Sequence, residues 1–219
     1  MNVIITGATG MVGEGVLHEC LQHPNVTNVL VLGRKSCGIT HQKLTEILVD
    51  DFYDLSPIEA QLDGYDACFF CLGISSLGMN ETDFYKITYT LTLSVAQTLC
   101  RLNPDMTFCY VSGSGTDSTE KGRTMWARVK GKTENDLMKL PFRQVYNFRP
   151  GYLHPTDGLK NTLSYYKYLS WLYPVFRAVF PGAVSTLREL GLAMINAVGN
   201  ANRKTVVEVK DIRALANQP

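Results

Sequence analysis

Three glycines, Gly7, Gly10 and Gly13, stand between an apolar, β-branched run, Val3-Ile4-Ile5-Thr6, and a helical pattern at Val16, Leu17, Cys20 and Leu21. Glycines so spaced at a strand-to-helix turn suit a dinucleotide. The first permits the tight turn, the second lets backbone approach a pyrophosphate, and the third lets the helix pack on the sheet. The helix N-terminus then offers free N–H groups and a partial positive charge to the phosphates. Thr9, Met11 and Val12 belong to the same expected cradle.

The second strand-like run ends in Val31-Leu32-Gly33-Arg34-Lys35. In dinucleotide folds an acidic residue here bonds the adenosine ribose, whereas an arginine accommodates a 2′-phosphate. This chain has two adjacent cations and no acid, and a guanidinium fork is shaped for phosphate. NADP(H) is therefore expected over NAD(H), the alternative being two solvated loop cations. The third run ends in Val49-Asp50-Asp51-Phe52 and the fourth in Cys71-Leu72-Gly73. Asp51 and Phe52 are expected near the adenine, and Cys71, Leu72 and Gly73 along the cofactor. An acidic pair after a strand is also an ordinary turn or helix cap.

The elements that must hold these residues alternate strand and helix without repeats, which predicts a doubly wound parallel sheet of Rossmann type. Strands are expected at Val3–Thr6, Asn28–Leu32, Thr45–Val49, Ala67–Leu72, Thr107–Ser112 and Gln144–Arg149, with helices near Val12–Gln22, Glu81–Leu102 and Arg123–Leu140. Right-handed crossovers give the order 3-2-1-4-5-6, with the crevice at the carboxyl ends of the strands. A helix around Ser185–Val198 and a short strand Thr205–Val209 return to the sheet.

After Gly151 the texture changes to an aromatic-rich stretch, 165–180, interrupted by Pro174. A small helical lobe over 152–184 that covers the substrate is expected within a single domain of 1–219. Plain packing on the sheet edge, and a peripheral membrane or protein contact through 165–180, are the alternatives.

The fifth strand ends in Ser112-Gly113-Ser114-Gly115, a helix follows with Trp126 and Val129-Lys130-Gly131, and the sixth ends in Phe148-Arg149-Pro150-Gly151. With the glycine turn, Gly33-Arg34-Lys35, the Ser112–Asp117 segment and Glu134, the chain resembles the short-chain dehydrogenase/reductases. The likeness is to their atypical, epimerase-like group that includes the Tat-interacting-protein-like NADPH-binding proteins. The resemblance implies an oxidoreductase or epimerase-like enzyme, with a non-catalytic cofactor-binding regulator as alternative, and a sugar-nucleotide epimerase or dehydratase as a third. It also implies a serine that orients substrate, a tyrosine that exchanges a proton, and a lysine one helical turn later that binds the cofactor ribose. Ser112 or Ser114 matches the serine and Lys130 the lysine, with Pro150, Gly151, Tyr152 and Leu153 along the cofactor. The tyrosine position holds Trp126, whose indole N–H has no acid–base chemistry. A proton would then come from Tyr152, His154, Tyr85 or Tyr89.

A net charge of +1 without basic runs argues against nucleic acid as a partner. The first residues read as a strand, not as a secretory leader, and no apolar run is long enough to span a membrane. A cytoplasmic location is expected. The six cysteines lack framework or metal-ligand spacing, and no metal site is expected. Cys68 and Cys71 have the letters of a redox pair but are expected inside a buried strand, facing opposite ways.

Overall fold

A computed structural model describes residues 1–161, 173, 177, 179–180, 182–199 and 204–218. The principal strands are β1 (Asn2–Thr6), β2 (Asn28–Gly33), β3 (Leu44–Leu48), β4 (Ala67–Phe70), β5 (Thr107–Val111), β6 (Gln144–Arg149) and β9 (Val206–Glu208). They form one parallel sheet in the order β3-β2-β1-β4-β5-β6-β9, the expected order with a seventh strand added. The Ala67-Cys68-Phe69-Phe70 strand is buried at every residue, as a strand covered on both faces must be.

Alternation along the strands divides the core. Val3, Ile5, Val31, Phe69 and Phe148 face helices α1 (Met11–Gln22), α5 (Leu187–Gly199) and α6 (Val209–Ala216). Ile4, Leu32, Phe70, Phe108 and Tyr110 face α3 (Leu91–Leu102) and the end of α4 (Met125–Leu137). The two faces are separate apolar layers among the described residues, which leaves the ends of the strands as the place for a ligand.

The helix expected over Glu81–Leu102 is interrupted. It begins as α2 (Glu81–Tyr85), capped by the Asn80 side chain, widens into a π-turn over Lys86–Thr90 and resumes as α3. Buried positions recur every fourth residue at Phe84, Thr88, Thr92 and Ala96. In a regular helix that spacing drifts by about 40° per step, and the wider turn takes up part of the drift.

Beyond β6 the structure departs further from expectation. Val184–Thr186 is not the start of a helix but a strand, β8, which pairs in parallel with β7 (Tyr152–His154). Thr186 then caps α5, accepting the Glu189 N–H at 2.9 Å, so the helix starts at Leu187. Val209 likewise leaves its expected strand to open α6, because Glu208 and Asp211 form a reciprocal capping box before it. The described part of the expected helical lobe is therefore partly strand, while 162–172 lies outside the described residues, as does most of the aromatic stretch. Glu14 of α1, itself buried, accepts the N–H groups of Lys160 and Asn161 at 2.8 and 2.7 Å and ties the chain after β7 to the first helix.

Candidate functional site

The β1–α1 turn is closed by sterics. Gly7 has φ +74°, and a Cβ there would lie 2.6 Å from the Cys71 carbonyl oxygen. A Cβ on Gly13 would lie 2.1 Å from the Gly7 oxygen. Gly10 differs: its Cβ would meet only the Gly7 oxygen, at 3.4 Å. Gly7 and Gly13 are thus glycines because the protein fills the space beside them, whereas Gly10 borders open space. Gly10 also stands at the helix N-cap without a side-chain cap, so the N–H groups of the first turn at Met11, Val12 and Gly13 lack a capping acceptor.

Beside this turn lies a cavity of about 440 Å³, lined by Gly7, Thr9, Gly33, Arg34, Lys35 and Phe52 among others. A second, of about 240 Å³, shares Arg34, Phe52 and Leu72 with it and adds Asp50, Asp51 and Gly73. Arg34 and Lys35 are exposed and have no hydrogen-bond or ion-pair partner among the described residues. The Asp51 carboxylate accepts the Tyr53 N–H at 2.8 Å and so shapes the turn as well as the rim.

The fourth strand stops at Phe70, leaving Cys71 just past its end. Cys71 packs by its carbonyl against Gly7 instead of lining either cavity. Burial pushes its thiol up to about 12 and that of Cys68 well above the ordinary value, which leaves both protonated and unreactive.

At the other end of the crevice, past β5 and β6, polar groups bond to one another. The fully buried Glu134 carboxylate receives the Arg149 guanidinium, with Nε 3.0 Å from Oε1 and 3.2 Å from Oε2, and Nη2 2.5 Å from Oε2. Arg149 also donates to Ser118 Oγ at 2.5 Å and to Glu208 at 3.3 Å. Ser112, expected to face substrate, turns inward instead: its hydroxyl donates to Glu134 Oε1 and lies 3.1 Å from the Phe148 oxygen. Its direction is set by Glu134 and Arg149, two residues that stand in the sequence motifs without any local sign of this role. Ser114 is exposed, its N–H held by the Pro150 oxygen at 2.9 Å, and of the two it is the serine that can meet a ligand.

Lys130, four residues before Glu134 on α4, donates from Nζ to the Ser112 carbonyl oxygen. Burial lowers its pKa from 10.5 to about 8, against a smaller raising effect of Glu134. Trp126 stands one turn earlier with its ring against Gly115, Cη2 being 3.5 Å from where a Cβ would lie.

Several expected contacts are given over to packing. Leu153 is buried in the core under α5, and a Cβ on Gly151 would come within 2.2 Å of the Ala183 oxygen, so that glycine serves the β7–β8 junction. Of the suggested proton donors, the Tyr89 hydroxyl donates to Asp136 at 2.7 Å and is pushed up to about 12, chiefly by burial. The Tyr85 ring lies 4.5 Å from that of Tyr89. His154 stacks 3.9 Å from the Tyr173 ring, and burial lowers its pKa.

The profile of the NAD dependent epimerase/dehydratase family matches residues 3–125, from the first strand through the glycine turn to the start of α4. The chain belongs to this family. It is 27% identical over 154 residues to Protein HTATIP2 of Rattus norvegicus, a match covering 69% of this chain and 62% of that protein. To the mitochondrial protein fmp52-1 of Aspergillus oryzae it is 27% identical over 157 residues, covering 68% of this chain and 65% of the relative. The chain thus spans less than two thirds of the length of these two relatives. Among solved structures it is similar to the UDP-N-acetylglucosamine 4-epimerase of Methanobrevibacter ruminantium. That likeness has a TM-score of 0.68 at 17% identity, covering 94% of this chain and 75% of the other. It also matches WbmF of Bordetella bronchiseptica, solved with NAD+, at TM-score 0.64 and 17% identity over 98% of this chain and 76% of the other. These likenesses carry the fold. The expected cytoplasmic location is corrected by the relatives: those from Aspergillus oryzae, Scheffersomyces stipitis and Eremothecium gossypii are named as mitochondrial proteins.

Proposed function

We propose that this family member binds NADP(H) in preference to NAD(H) and serves oxidation–reduction of a small carbonyl or hydroxyl substrate. The observation that carries the preference is the exposed Arg34–Lys35 pair, without a partner among the described residues, on the cavity at the end of β2. A 2′-phosphate would complete these cations, whereas a bare ribose hydroxyl would not. The residues present fit a dinucleotide: space beside Gly10, the uncapped first turn of α1, and two cavities with shared lining, the second of which reaches Asp51 and Gly73. WbmF, solved with NAD+, supplies the analogy for a dinucleotide on this fold.

When bound, the reduced dinucleotide supplies a hydride. The chain's own part is to hold phosphates at Gly10–Gly13, to orient a substrate oxygen with Ser114, and to place Lys130 at the end of β5. Trp126 favours a second reading, a dinucleotide-binding protein without turnover, because indole cannot protonate an alkoxide.

Fluorescence titration of the whole chain with NADPH and NADH tests the preference. NADPH is expected to bind more tightly, and Arg34→Ala to remove about tenfold of the difference, since a charge-assisted hydrogen bond contributes about 1.5–3 kcal/mol. Equal affinities in the unmodified chain would overturn it.

A further inference from the structure

We propose that Lys130 is itself the proton donor of this site, and that Glu134 and Arg149 are positioning residues that leave its ammonium without a carboxylate partner among the described residues. The inference rests on the oxidoreductase reading and deepens it. Among the described residues the other suggested donors are otherwise engaged, Tyr85 by packing its ring against that of Tyr89. Trp126 has no acid chemistry, Tyr89 is held by Asp136, His154 is stacked on Tyr173 and kept neutral by burial, and the Tyr152 hydroxyl is buried.

Glu134, at i+4, is the residue that would ordinarily pair with Lys130. Both its oxygens are instead engaged, by three guanidinium contacts from Arg149 and by the Ser112 hydroxyl. Lys130 is left with a neutral acceptor, the Ser112 carbonyl. Among the described residues, Glu134 is the charged group whose field acts on Lys130. On α4, Glu134 is neutralised by Arg149 of β6, while Glu208 of β9 also faces Arg149. Tyr110 of β5 is fully buried, which pushes its pKa up and keeps it uncharged. A half-buried ammonium with only a carbonyl for company holds its proton loosely, which agrees with its pKa of about 8. A general acid works best when its pKa lies near the working pH.

The step balances. With a hydride supplied by a bound reduced dinucleotide to a carbonyl carbon, the C=O π pair would become an alkoxide lone pair. That pair takes a proton from Lys130 Nζ. The products are an alcohol, the oxidised dinucleotide and a neutral lysine, which regains its proton from water.

The test uses the full chain, with and without NADPH. Competitive acetylation followed by peptide mass spectrometry reads the pH at which each lysine becomes reactive. Lys130 is expected to reach half-reaction near pH 8, about two units below the ordinary lysine value. Arg149→Met, which frees Glu134 to pair with Lys130, is expected to raise that midpoint by about a unit or more. Arg149→Lys provides the milder version if the first does not fold. With diacetyl as the carbonyl probe and NADPH at saturation, Lys130→Arg is expected to lose about 10²–10⁴-fold in turnover, and Trp126→Tyr on that background to recover part of it. A Lys130 midpoint at the ordinary lysine value, an unmoved midpoint in both Arg149 variants, or full turnover with Lys130→Arg would each overturn the inference. Absence of NADPH binding would instead overturn the functional reading, and the acetylation profile reports on Lys130 independently of it.

Discussion

At the ends of β1 and β2, Arg34 and Lys35 reach into solvent without a partner among the described residues, and the first turn of α1 has no side-chain cap. At the ends of β5 and β6, Ser112, Lys130, Glu134 and Arg149 are already bonded to one another or to backbone. One end of the crevice is left incomplete for something else to finish, while the other is assembled in advance. Substitutions of the open groups at the first, Arg34, Lys35 and Gly10, should therefore move affinity and leave the fold alone, and those at the second should move the fold.

The sharpest break of this contrast is Glu134→Ala. It leaves the Arg149 guanidinium buried beside an empty space, and removing one partner of a buried pair costs about 3–5 kcal/mol. Urea unfolding should show a loss of that size, and a loss below about 1 kcal/mol would mean that the network is not what holds β5, β6 and α4 in register. Gly13→Ala and Gly10→Ala come next and separate the two roles within one turn. The first drives a methyl group into the Gly7 backbone and should destabilise by about 2–3 kcal/mol. The second should leave stability within about 0.5 kcal/mol while weakening NADPH binding by at least about tenfold.

A pH series on Lys130→Met sharpens the comparison further. Because the folded pKa of about 8 lies below the ordinary 10.5, the unfolded chain binds more protons than the folded one between those values. Stability from this group therefore rises with pH across that window, and its cost is fully present below pH 8. The methionine variant should gain on the parent at pH 7 and lose that advantage by about pH 10, as followed by thermal melts. The smallest effect belongs to the surface of α4. Lys132, Lys139 and the Tyr89 hydroxyl hold the Asp136 carboxyl well below the usual carboxylate range. Its contribution is present above the ordinary carboxylate pKa and lost as pH falls towards the depressed one. Asp136→Asn should cost about 0.5–1 kcal/mol at pH 7 and less at pH 3.

The half of the site that is local in sequence is legible from the residues alone. Gly7, Gly10, Gly13, Gly33 and Arg34 each act within a few residues of their own strand end, so spacing is enough to place them. Six strands and their order follow from apolar runs too short to be helices. Ser112 is different, because its orientation depends on Glu134 and Arg149, which are brought beside it only by the packing of α4 on β5 and β6. β7 and β8 escape a reading by pattern for a similar reason, since unlike the β-branched run Thr205–Val209 that announces β9, Tyr152–His154 and Val184–Thr186 are brought together as strands only by each other. α6 does carry a local signal, the Glu208-x-x-Asp211 box with Val209, Ile212 and Leu215 buried behind it. Its β-branched start disguises it as the end of a strand.

The widened turn at Lys86–Thr90 has a consequence for the family's history. A π-turn spends one residue more than a regular helix needs to cover the same arc, so this helix contains a removable position. A relative whose helix is uniform throughout should align to this one with a single-residue gap at Lys86–Thr90, with the partners of Phe84 and Ala96 unchanged on either side. A gap of that size anywhere else in the helix would turn one flank by about 100° and expose what it now buries. The turn thus marks where the length of this helix was free to change.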